Sequence, residues 1–134
     1  AGIDKIFIGH DHGDHIFGLP AIIGARNAGR GMSRNKDTMD ANKPLTVYFP
    51  SDNYLMGDLI DFIKKHNGNW LRYKLDFVPI SSGFELELGN KQFVRAFDMS
   101  HQKNKSTLGY VIYENRTRLK KEFQFKKLML KRSI

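Results

Sequence analysis

Three observations predict a mixed α/β (α+β) fold for this chain of 134 residues. Up to Ile80, apolar strand-like runs alternate with segments of helical periodicity. From Phe84 to Tyr113, short runs of period-two alternation follow one another with turn residues between them. Hydrophobic residues make up 40% of the chain, which suffices for a core and is too many for a disordered polymer. The length suits one domain.

Ile3–Ile8 reads as a buried strand. Ile16–Ala28 reads as a helix, because Ile16, Leu19, Ile22 and Ile23 recur at helical spacing and Pro20 fits a first turn. Gly24–Lys43, with Gly24, Gly29, Gly31 and the basic residues Arg26, Arg30, Arg34 and Lys36, reads as a long surface loop. No Gly-Lys-Ser/Thr follows its glycines, so it is no phosphate-binding loop. Leu45–Pro50 is a strand stopped by its proline. Asp52–His66 is an amphipathic helix capped by Ser51 or Asp52, with Leu55, Leu59, Ile60, Phe62 and Ile63 on the buried face and Asn67-Gly68 as its stop. His66 falls in the last turn, where it complements the helix dipole and is not read as a ligand. Arg72–Ile80, Phe84–Leu88 and Gln92–Met99 then form a predicted three-strand meander, turning at Gly89-Asn90 and leading to His101; Gly109–Tyr113 is the last strand.

The chain has no cysteine, which excludes disulfides, thiolate metal ligands and a cysteine nucleophile and makes the cytoplasm the expected compartment. No apolar run approaches the length of a membrane span, and Asp4 and Lys5 interrupt the first strand where a signal peptide would be apolar. The net charge of +8 is uneven: from Arg116 onward eight basic residues stand against Glu122 alone.

The chemistry concentrates in Gly9–Pro20, Gly-His-Asp-His-Gly-Asp-His-Ile-Phe-Gly-Leu-Pro. Three of the five histidines and two aspartates fall between His10 and His15. In an extended segment residues i and i+2 share a face, so His10 and His12 can hold one ion from one side. After the turn at Gly13, Asp14 and His15 can reach a second ion. Imidazole and carboxylate suit zinc, and imidazole also suits other first-row metals. Alone, His101 reads first as a strand-end histidine satisfied by hydrogen bonds.

The pattern H-x-H-x-D-H after a hydrophobic strand resembles the metallo-β-lactamase superfamily. Its continuation Ile16-Phe17-Gly18-Leu19-Pro20, with His101 followed by Ser106-Thr107-Leu108-Gly109-Tyr110, resembles the ribonuclease Z branch, endonucleases that remove the 3′ trailer of precursor tRNA. Arg116–Phe123 also looks like a segment of those proteins. Two departures stand out: Gly9 replaces the usual Thr or Ser, and Phe49 replaces a Gly. The resemblance implies an αββα sandwich of which residues 1–123 supply part, with residues 124–134 a basic tail. It implies two Zn²⁺ ions, one held by His10, His12 and His101 and the other by Asp14 and His15, with Asp14 as the catalytic carboxylate. It implies metal-dependent phosphodiester hydrolysis and RNA, as precursor tRNA, as partner, with no membrane. The basic tail reads first as a solvated end and second as an electrostatic hold on RNA.

The same resemblance expects a bridging aspartate and a further histidine later in the chain, yet no acidic residue follows Glu122 and no histidine follows His101. The sequence is therefore expected to be a fragment, a truncated gene product or part of a longer molecule; if the second half is absent, an uncovered apolar sheet face favours a homodimer or instability. Two other functions remain open: a hydrolase of small esters on the same fold, and a catalytically incomplete fragment that binds RNA or a partner.

Overall fold

The computed structural model describes residues 3–32, 43–67 and 70–115. The expectations for residues 33–42, Gly68, Arg116–Phe123 and the basic tail lie outside them. The elements run β1 (Lys5–Phe7), α1 (Gly13–Ile16), α2 (Leu19–Met32), β2 (Leu45–Pro50), α3 (Tyr54–Asn67), β3 (Leu75–Ile80), β4 (Glu85–Gly89), β5 (Gln92–Asp98) and β6 (Leu108–Glu114).

Two three-stranded sheets result. The first is parallel, in the order β1-β2-β3, and the second is antiparallel, in the order β4-β5-β6. The mixed α/β class is as expected, but the predicted meander is displaced by one strand. Its first member, β3, pairs with β2 in parallel from Leu45↔Leu75 to Pro50↔Ile80. Parallel neighbours need a long crossover, and α3 lies between β2 and β3 to provide it. The meander proper is β4-β5-β6, and Gly89, Asn90 and Lys91 turn its first hairpin with positive φ.

Two apolar clusters define three layers. Ile16, Leu19 and Ile23 from α1 and α2, with Met56, Ile60 and Ile63 from α3, pack on Ile8, Leu45, Val47 and Phe49 of the parallel sheet. The other face of that sheet, through Phe7, Tyr48, Val78 and Ile80, meets Phe84, Leu86, Ala96, Leu108 and Tyr110 of the antiparallel sheet. The described residues are thus stacked helices, sheet, sheet. The alternation of the antiparallel strands turns Phe93, Phe97, Val111 and Tyr113 to the outer face, where Phe93 and Tyr113 stack at 5.4 Å.

Helix α2 runs to Met32, so Gly24 does not begin a loop. Each glycine costs a helix about 1 kcal/mol relative to alanine, but tertiary bonds hold this one. Arg26 donates to the carbonyls of Ile3 and Lys43 and lies 4.2 Å over the Tyr73 ring. Asn27 bonds the backbone of Trp70 and Arg72, and the Tyr73 hydroxyl donates to the Ile23 carbonyl.

Helix α3 buries Met56, Ile60 and Ile63, while Leu55 and Phe62 are 50% and 55% exposed, contrary to the expected face. Residues 56, 60 and 63 hold the i, i+4, i+7 stripe, and Phe62 instead stacks on exposed His66. Neither Ser51 nor Asp52 caps the helix. The Leu55 N–H donates to the carboxylate of Asp11, and the Asp52 carboxylate accepts from Ser106 and Asn53 instead.

Candidate metal centre

The strand ends of both sheets converge on one place. Ile8 N–H donates to the Tyr48 carbonyl as β1 ends, and Leu108 N–H donates to the Gly9 carbonyl as β6 begins. The Tyr110 hydroxyl donates to the Ile8 carbonyl at 2.6 Å, with burial pushing the phenol pKa up. Gly9 makes this seam close, since a Cβ there would stand 3.2 Å from the Leu108 carbonyl oxygen and would require it to shift by a few tenths of an ångström. The seam lays residues 9–12 beside the loop that carries His101.

The ligand atoms of His10, His12 and His101 consequently lie within 4.8 Å of one another. His10 Nε2 faces His12 Nδ1 at 3.0 Å, and the His101 ring centroid stands 5.1 Å from that of His10 and 6.1 Å from that of His12. Gln102 offers its amide to the remaining nitrogen of His12 at 3.5 Å. His10 is buried and the other two are exposed, so the cluster opens to solvent on one side. Burial lowers the pKa of His10, and repulsion from His15, His12 and His101 lowers it further against a smaller opposing pull from Asp14. The neutral imidazole is the form that binds metal.

Three imidazoles converging within this distance are a donor set that suits a divalent first-row metal such as zinc. His10, His12 and His101 would hold the ion. His15, on α1, sits against His10 with centroids 4.0 Å apart. Asp14 is 80% exposed, pairs with His15 at 3.5 Å, and lies outside the three-histidine group.

Sequence reasoning missed the polar frame behind the cluster. Asp11 is turned opposite to its histidine neighbours and is fully buried. Its Oδ2 accepts the Leu55 N–H at 3.0 Å and the Lys105 ammonium at 3.2 Å, and its own N–H donates to Asn53 Oδ1. Asn53 donates to Asp52 and to the Ser106 carbonyl, and Ser106 donates through N–H and Oγ to Asp52. Burial would raise the Asp52 pKa, but the bonds from Ser106 and Asn53 outweigh it and hold the carboxyl below its usual range. The available signal was alternation itself: an aspartate between two same-face ligands must face inward and find a partner.

Comparison with known proteins bears on this site. No family model matches the chain. It is 34% identical over 99 residues to ribonuclease BN of Escherichia coli O17:K52:H18 and 35% identical over 99 residues to ribonuclease BN of Escherichia coli O157:H7. Ribonuclease BN of Shigella boydii serotype 18 matches at 34%. Each alignment covers 74% of this chain, and the chain spans 28% of the length of these relatives. They carry the name ribonuclease BN, which corrects the ribonuclease Z designation expected from the motifs.

Proposed function

We propose that this chain contributes the metal-binding part of a metallo-β-lactamase-like ribonuclease that hydrolyses RNA phosphodiesters, with removal of the 3′ trailer of precursor tRNA as its reaction. The observation that carries this reading is the convergence of His10, His12 and His101 at the joined ends of two sheets. The similarity to ribonuclease BN supports RNA as the substrate class. The order helices, sheet, sheet among the described residues is consistent with three layers of an αββα sandwich, which supports the reading.

A bound divalent ion supplies Lewis-acid polarisation of a phosphoryl oxygen and a nucleophile at neutral pH. The chain's own residues prepare that chemistry. Buried His10 stays neutral and fixes one ligand position, and exposed His12 and His101 complete the set from the open side. Asp14 and His15, paired at 3.5 Å with His15 against His10, would hold a second ion, and Asp14 would accept a proton from the attacking water. Exposed Lys103, on the loop that carries His101, offers charge to an RNA backbone.

The exposure of Asp14 favours a second reading, in which the chain binds RNA without turnover. One experiment separates them: end-labelled precursor tRNA incubated with the zinc-loaded chain, scored for both retention and cleavage. Trailer release that disappears in His10→Ala/His12→Ala supports the proposal. Retention without cleavage supports the second reading, and neither retention nor cleavage removes both.

A further inference from the structure

Asp11 is the only fully buried carboxylate among the described residues, and its Oδ1 has no partner among them. A buried carboxylate is costly unless it is paired and hydrogen-bonded. Here the compensation comes from two places: the first turn of α3, where the Leu55 N–H and the helix dipole favour negative charge, and the ammonium of Lys105. Asp11 and Lys105 are 94 residues apart in sequence. Asp11 lies between the ligands His10 and His12, and Lys105 lies on the loop that carries His101. Neither touches the ring nitrogens of the cluster.

We propose that the Asp11–Lys105 ion pair is a positioning device that locks the His101 loop onto the His10–His12 segment and so presets the three-histidine site for metal. The inference rests on the metal-centre reading given above. Asp11 anchors its own segment to α3 from behind, so the faces of His10 and His12 are set by where its carboxylate is held. Lys105 is drawn into that carboxylate while Ser106, next in the chain, is tied to Asp52. Without the pair, the loop keeps its Ser106 anchor and the Leu108–Gly9 seam but loses its ionic tie to the residue between His10 and His12. The Lys105 ammonium also lies 5.8 Å from the exposed Tyr54 ring, a contact too open to replace the ion pair.

The sign of one substitution distinguishes positioning from simple electrostatics. Lys105 places a positive charge near a cation site, so removing it would tighten metal binding if charge alone acted. Positioning predicts the reverse. The test titrates Co²⁺ into the metal-free full chain, reading affinity and the visible ligand-field spectrum for wild type, Lys105→Met and Lys105→Arg.

The expected result is affinity weaker by about tenfold or more in Lys105→Met, with an altered spectrum, and recovery of both in Lys105→Arg. Unchanged or tighter binding in Lys105→Met overturns the proposal, as does an equal loss in both variants. Should Lys105→Met fail to fold, Lys105→Arg decides: near-wild-type affinity and spectrum support the proposal, and a tenfold loss overturns it. Absence of Co²⁺ binding by the wild type overturns the metal-centre reading along with this one. Wild-type binding that Lys105→Met preserves overturns this one alone.

Discussion

The Leu108 N–H donates to the Gly9 carbonyl at 2.8 Å, and this bond joins the segment just after the first parallel strand to the first residue of the last antiparallel strand. It is the seam that sets the loop bearing His101 beside His10 and His12. A side chain at position 9 pushes against it, since its Cβ meets the Leu108 oxygen at 3.2 Å. Gly9→Val is expected to destabilise the fold by about 1–3 kcal/mol, the usual cost of forced overpacking. Urea denaturation measures this, and a variant as stable as wild type contradicts the account of the seam.

Two residues next to each other on α3 make a sharp contrast. Ile63 is buried in the core between helices and parallel sheet, and Phe62 is 55% exposed. Ile63→Ala is expected to cost about 2–5 kcal/mol through lost burial and the cavity left behind. Phe62→Ala is expected to cost well under that, since exposed positions rarely matter by more than about 0.5 kcal/mol. Comparable losses in the two variants would restore the face expected from sequence.

Asp52 gives the fold an acid-sensitive bond. Burial works against its charge, yet Ser106 and Asn53 hold its pKa below the ordinary 3.8. The folded carboxyl therefore releases its proton more readily than the unfolded one. Its contribution is present above pH 3.8 and is lost as pH falls through the folded value, because the unfolded chain takes up the proton first. The stability gap between wild type and Asp52→Asn should be widest near neutrality and shrink below about pH 4. A gap that stays constant into strong acid means that the Ser106 bonds do not depend on the charge.

Local chemistry was legible wherever it was dense. The alternation at His10 and His12, the run Leu45–Pro50 and the hairpin at Gly89-Asn90 all read directly from residue type and spacing. What was hidden depended on partners far along the chain. Gly24 looked like a break because nothing near it in sequence shows that Arg26 and Asn27 pin the helix to the segments at Ile3, Lys43 and Trp70. The strand at Leu75 looked like the start of a meander because its partner is β2, across a helix, and not the strand that follows. Asp11 had no role assigned from the sequence, and only its burial against Leu55 and Lys105 shows its partners.

The three-histidine centre is the claim on which the functional account stands. Its most direct test is zinc content by elemental analysis of the purified chain after dialysis, alongside His10→Ala/His12→Ala and His101→Ala. The account predicts at least about one zinc ion per chain in the wild type and loss in both variants, since the set needs ligands from both segments. Zinc absent from the wild type, or fully retained in His101→Ala, would contradict it.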